Sequence, residues 1–297
     1  MWNGVLLLDK PQGFTSFDVI AVLRGLSKTR KIGHTGTLDP MATGVLPLLF
    51  GCATRAEALL PDTSKTYEAS FRLGIDTDTQ DSTGTVLRTS LESVNREQVE
   101  QACAQFRGEI FQVPPMYSAL KQNGKKLVDL ARQGIEVERK PRPVTVRRLE
   151  LLSYDPQSRE GTLVAECSKG TYIRTLCADI GAFLGCGGIM TGLRRTRASG
   201  FTLADAITLE EARRLAQENR LEERLLPVER LFACYDSVTV TDGQTVRFQN
   251  GGALALDRLK KRPAGICRVH SPAGDFLGLG KPNLEKQELA VLRLFPA

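Results

Sequence analysis

Residues 33–44 read GHTGTLDPMATG and run straight into the apolar stretch VLPLLF. Gly33, Gly36 and Gly44 allow backbone angles closed to other residues. Pro40 pushes the residue before it, Asp39, out of helical space into an extended conformation. A carboxylate is therefore displayed on a rigid loop just ahead of a buried strand. Taken singly, an Asp-Pro pair is a turn with a helix cap; a loop specified this closely is more than a connection requires. It is not a phosphate-binding loop, because it lacks GxxxxGK(S/T) and GHTG is not GxGxxG.

Around this loop, strand and helix signals interleave. Residues 5–8 read as a buried strand closed by Lys10-Pro11-Gln12-Gly13. Ser16 can cap a helix carrying Val19, Val22, Leu23 and Leu26 on one face, and Asn95 can cap another over 96–106, stopped by Gly108. Residues 66–73 and 162–168 alternate as strands. Leu176, Ile180 and Leu184 recur at helical spacing before Gly185. A mixed-charge helix is expected over 208–226, ended by Pro227. This interleaving implies an α/β or α+β core. Residues 117–148 are basic and poor in large apolar side chains, which suggests a surface excursion. After Phe232 short strand-like runs at 238–240, 245–248, 265–269 and 276–279 suggest a small β-barrel. The 297 residues thus divide near 230–236, into a domain over 1–232 and a smaller one over 235–297.

Several classes of function are excluded. No apolar run approaches the ~18–20 residues that span a bilayer, and the start, MWNGVLLLDKPQG, lacks a basic segment and a cleavage site, so no membrane anchor or signal peptide is expected. Seven scattered cysteines without CxxC, and only two distant histidines, argue for a reducing cytoplasm and against a zinc site. Asp76, Asp78 and Asp81 miss the calcium-loop template and read as turn caps. The net charge of +6 is mild, but basic residues group at 24–31, 139–148, 194–197 and 260–262, which fits a polyanion footprint.

Two further segments carry chemistry. KGTYIRT at 169–175 lies where a strand meets a helix, and Arg174 there could hold a carboxylate in a bidentate pair. Lys65-Thr66-Tyr67 enters a strand. Read alone, each is a surface Arg or a packed Tyr.

Together the residues resemble one family. LLLDKPQGFTSFDV, GHTGTLDPMATGVLPLLFG, KTYEASFRLGIDTDTQD, VPPMYSALKQNGKKLVDLARQGIEVERKPRPV, CSKGTYIRTLCADIG and GLRRTRASGF are similar to blocks of the TruB-type tRNA pseudouridine synthases, and the tail resembles a PUA domain, an RNA-binding β-barrel. The resemblance implies a mixed, largely antiparallel sheet with flanking helices. It implies isomerisation of uridine 55 in the T-loop of tRNA to pseudouridine on a flipped-out nucleotide, with no metal, nicotinamide or other cofactor; a monomer is the default expectation.

By the same resemblance Asp39 is the catalytic carboxylate, Arg174 its partner, and Tyr67 the residue that stacks on the base and is the candidate for taking the carbon-5 proton. Tyr172 and Leu193 would contact the flipped uridine and His34 would help extrude it. Lys10 would lie near the site as an RNA contact, or structurally tie the first strand to the loop. The 117–148 excursion would clamp RNA, with Lys121, Lys125, Lys126, Arg139 and Lys140 on phosphates. A neighbouring guanidinium lowers a carboxylate's pKa, so Asp39 is expected below its ordinary range and anionic at neutral pH. Attack on C1′, attack on C6 and a glycal route all remain open. So do two other classes: a non-catalytic RNA chaperone and a magnesium-dependent aspartyl-phosphate enzyme.

Overall fold

The computed structural model describes residues 2–296. Its centre is a ten-stranded sheet whose main path runs Ile207–Thr208, Gly4–Lys10, Thr43–Phe50, Gly188–Ala198, Lys65–Leu73, Glu160–Cys167, Arg142–Asp155, Gly108–Gln112. Neighbours are antiparallel except where Gly4–Lys10 meets Ile207–Thr208 and Gly188–Ala198 meets Thr43–Phe50. The sheet is thus mixed and largely antiparallel.

The first strand shows why its sequence is continuously apolar rather than alternating. Leu6 and Leu8 face Val19, Ile20 and Leu23 of helix Ser16–Ser27 and Leu209, Ala212 and Leu215 of helix Leu209–Gln217. Val5 and Leu7 face the other way, into a core shared with Phe232, Leu279 and Phe295. A strand covered on both sides has no polar face to display. On the far half of the sheet, helix Ile173–Phe183 buries Ile173, Leu176, Cys177 and Ile180 beside Val99 and Cys103 of helix Arg96–Gln105. That second helix is capped by Asn95, whose side chain accepts from Gln98 N at 2.9 Å while Gln98 returns the bond to Asn95 N at 2.8 Å.

The tail forms a separate five-stranded sheet, in the order Asp236–Thr239, Cys267–His270, Phe276–Asn283, Glu288–Leu294, Leu254–Ala255. It is not detached from the rest. Phe232 lies 5.5 Å from Phe295 and 6.3 Å from Phe276, centroid to centroid, so phenyl rings join the two sheets in one core.

Four expectations need correction. Residues 245–248 are not a strand but part of helix Asp242–Gln249; Thr241 accepts from Gln244 N and Gln244 accepts from Thr241 N, a capping box that outweighs the strand-like Val246 and Phe248. The 208–226 helix ends at Gln217, followed by a single 3-10 turn, Leu221–Arg224. The 117–148 excursion closes early: strand Arg142–Asp155 starts inside it, with Val144 and Val146 buried. The cap of the first helix is Thr15, one residue before Ser16, and Thr15 and Asp18 exchange hydrogen bonds.

Helix Ile173–Phe183 also carries a cost. Burial alone pushes the Asp179 carboxyl up to about 6, and no partner offsets it among the described residues. A carboxylate whose folded pKa is raised withholds nothing below its ordinary pKa of about 4 and its full amount above about 6. Asp179→Asn should therefore raise the melting midpoint by a few degrees at pH 7.5 and leave it unchanged at pH 3.5, as read by circular dichroism.

Candidate active site

The Asp39 loop is held from beneath by two buried cations. Lys10 and Arg195 are both 0% exposed. The Lys10 ammonium donates to the carbonyls of Phe14 at 2.6 Å, Pro11 at 2.9 Å and Pro40 at 3.4 Å. This geometry is a structural tie between the first strand and the loop, and it places no Lys10 donor at the surface. Burial brings the ammonium down to about 8.

Arg195 donates to Val45 O at 2.8 Å, Gly36 O at 3.1 Å and Thr37 O at 3.5 Å, so it ties both ends of the loop. It also sits opposite Tyr67 on the adjoining strand, where its charge opposes the rise that burial gives the phenol's pKa. The backbone of Arg195 approaches Gly44 so closely that a Cβ there would lie 2.2 Å from the Arg195 carbonyl, at a φ of +108°. Glycine is the residue that permits this crossing. Ser16 Oγ accepts from Leu38 N at 2.9 Å and completes the scaffold.

Asp39 faces a cleft of about 800 Å³. Arg174, at the first turn of its helix, pairs with it at 3.0 Å, Nε to Oδ2. The same guanidinium reaches Asp81 at 3.7 Å and donates to Tyr117 O at 2.9 Å and Thr79 O at 3.3 Å. Asp81 is thus more than the turn cap expected, although it does accept from Thr79 Oγ1 and Thr83 Oγ1. Arg174 joins the loop, the 79–81 turn and the 117 segment at one buried point.

The charge balance differs from expectation. Burial in the cleft raises the Asp39 carboxyl above its ordinary range; Arg174 pulls it down, but Asp81 pushes it up again, and the net direction is upward. The side chain remains 38% exposed, so water still reaches it.

Tyr67, Tyr172 and Leu193 line the same cleft as Asp39 and Arg174. Burial sends the Tyr67 phenol up to about 12. His34 does not line the cleft. It ends strand Ile32–His34, half-buried and next in sequence to Thr35 of the cleft wall, its Nδ1 accepting from Gly36 N at 3.2 Å, and burial lowers its pKa.

The basic groups separate into free and committed. Arg194 pairs with Asp9 at 2.7 Å, Arg197 with Asp62 at 2.9 Å, and Arg195 is interior. Of the 194–197 group, Arg195 is therefore scaffold, while Arg194 and Arg197 are exposed side chains held in ion pairs. Arg139 is occupied by Glu136 and Pro114 O. Lys121, Lys125 and Lys126 remain exposed on a two-stranded hairpin at the edge of the excursion. Arg195 was the residue sequence reasoning missed: its two arginine neighbours hid it among surface charges.

Residues 24–173 match the model of the TruB family pseudouridylate synthase (N terminal domain), and residues 174–233 that of the tRNA pseudouridylate synthase B C-terminal domain. The chain belongs to the TruB family of pseudouridine synthases. Among its relatives, the tRNA pseudouridine synthase B of Dechloromonas aromatica (strain RCB) is 46% identical over 95% of this chain and 92% of that protein. That of Stutzerimonas stutzeri (strain A1501) is 44% identical over 98% and 95%. Two solved structures share the fold of this TruB chain at a TM-score of 0.75. One, an H/ACA RNP bound to a substrate RNA containing 2'-deoxyuridine, is 25% identical and covers 99% of this chain and 85% of its own. The other, a Cbf5-Nop10-Gar1 complex, is 28% identical and covers 99% and 84%. Among the described residues, this TruB member has no helix long and apolar enough to cross a membrane.

Proposed function

We propose that this TruB-family enzyme converts uridine 55 in the T-loop of tRNA into pseudouridine, with Asp39 as the catalytic carboxylate. The observation that carries the reading is the Asp39–Arg174 pair at 3.0 Å on the wall of a cleft large enough for a nucleoside. The family membership and the names of the relatives support the reaction class.

The target uridine leaves its stack at a cost of a few kcal/mol, and aromatic contact at about 1–3 kcal/mol per base offsets it. Tyr67 and Tyr172 supply that contact, with Leu193 against the base. The N1–C1′ bond breaks, the uracil turns, and C5 bonds to C1′; the C5 proton leaves and N1 gains one, so the product is an isomer. Asp39 acts as the anion in this sequence, on C1′, on C6 or on the C2′ proton. Tyr67 meets the base as a neutral phenol, because its pKa is about 12. It takes the C5 proton only from its phenolate form, which Arg195 beside it stabilises.

The exposed lysines of the 117–141 excursion hold phosphates, and the tail sheet over 235–297 is a PUA-like RNA-binding unit beside the catalytic one. The reading needs no metal, and a cytoplasmic monomer suffices. Tritium release from carbon-5-labelled T-arm RNA tests it. Release should proceed equally with and without EDTA; absence of release would leave an RNA-binding protein, and loss in EDTA would favour the aspartyl-phosphate chemistry.

A further inference from the structure

The cleft contains a cation that the chemistry above does not use. Lys65 opens strand Lys65–Leu73, and the two-residue period of the strand puts it on the same face as Tyr67. Both line the cleft. Its ammonium donates to Thr63 O at 3.2 Å and makes no ion pair among the described residues. Asp62, two residues before Ser64, is taken by Arg197 at 2.9 Å and by Ser64 Oγ at 2.5 Å.

The neighbours of Lys65 are instead positive. A Cβ built on Gly36 would lie 2.9 Å from Lys65 Cε, 3.6 Å from its Nζ and 3.6 Å from Arg195 Nη1, so two cations converge on one loop glycine. Gly36 has a φ of +155° and no side chain to separate them. Arg195 spends its donors on Gly36 O, Thr37 O and Val45 O, whereas Lys65 has donors left over. A half-buried ammonium next to a like charge, with no carboxylate in ion-pair contact among the described residues and only Asp62 favouring it from further off, is held at a cost in the free protein. An anion entering the cleft relieves both burdens at once.

We propose that Lys65 is a phosphodiester-binding site inside the cleft, holding a phosphate of the RNA strand next to the flipped uridine. The inference rests on the RNA-modifying reading and adds a backbone anchor to it. A phosphate there fixes the depth to which the strand enters, so that the ribose stops opposite Asp39. The contact is to the backbone and carries no sequence information.

The test is Lys65→Met, assayed for equilibrium binding of a T-arm stem-loop RNA over a salt series and for thermal stability. Binding should weaken about tenfold at 0.1 M salt. The slope of log K against log salt should become shallower by about 0.7, the value for one single-strand phosphate contact. The melting midpoint should stay level or rise, because an unfavourable charge has gone. A single methylphosphonate on the 5′ or the 3′ side of the target uridine should reproduce the loss in the unmodified protein and add nothing in Lys65→Met, which identifies the phosphate.

Unchanged affinity and slope would overturn the proposal. So would methylphosphonate losses that are the same in both proteins, or a drop in melting midpoint that accounts for weak binding. Turnover of the same RNA by the unmodified enzyme separates the two levels: if it turns over and Lys65→Met behaves like it, only this inference fails; if it does not, the functional reading fails as well.

Discussion

Asp39→Asn should leave tRNA binding within about tenfold of the unmodified protein and lower pseudouridine formation by ten-thousand-fold or more, on the order seen when the reacting group of an enzyme is removed. The substitution keeps shape and removes charge. Among the described residues the Asp39 carboxylate is held only by Arg174 and does not hold the loop together; Lys10, Ser16 and Arg195 do that from below. Binding and fold should therefore survive while chemistry stops. The measurement is single-turnover conversion of a T-arm stem-loop alongside a filter-binding isotherm. Substantial conversion by Asp39→Asn would remove this residue from the reaction.

Arg174→Ala should be nearly as damaging, for two separable reasons. First, Arg174 is 6% exposed and faces both Asp39 and Asp81, itself 7% exposed. Removing one partner of a buried pair leaves an uncompensated charge and costs about 3–5 kcal/mol, visible as a lower denaturation midpoint. Second, the pH dependence shifts in a definite direction. The Asp39 carboxyl lies above its ordinary range because burial exceeds the pull of Arg174. The active anion is lost as pH falls through that raised value. Without Arg174 one lowering influence is gone, so the acid limb of kcat/KM should move to higher pH. Activity at pH 8 should exceed that at pH 6 by a larger ratio than in the unmodified enzyme. An acid limb that stays in place would separate the two residues functionally. Arg174→Lys should recover part of the pH effect and little of the stability, because the planar fork that also reaches Thr79 O and Tyr117 O is lost.

What the sequence made legible was whatever acts locally. Asn95 and Gln98 announce their helix with four residues, and the alternation in TYEASFRL announces its strand with eight. The glycine and proline spacing around Asp39 marks the loop before any partner is known. What stayed hidden depends on residues far apart in the chain. Arg195 reads as one of three surface charges until strand Gly188–Ala198 is laid beside Thr43–Phe50, which turns it inward under Gly36 and Thr37. Asp81 reads as a turn residue until Arg174 comes within 3.7 Å. The direction of the Asp39 pKa is hidden for the same reason: the guanidinium is legible in the sequence, but the walls of the cleft and the second carboxylate are not. Thr245 to Phe248 differ, since the Thr241–Gln244 capping box that makes them helical is itself local and outweighs the strand-like Val246 and Phe248.

The wall of rings formed by Phe232, Phe276 and Phe295 has a mechanical consequence. An apolar joint of this kind does not hinge freely, so the spacing between the tail sheet and the Asp39 loop is set before any RNA arrives. On the proposed reading of the tail as an RNA-binding unit, the protein then works as a gauge of fixed length. A transcript that touches the tail must itself bend to bring its loop to the carboxylate, and one whose stem is a few base pairs too long or too short will find one end seated and the other out of reach.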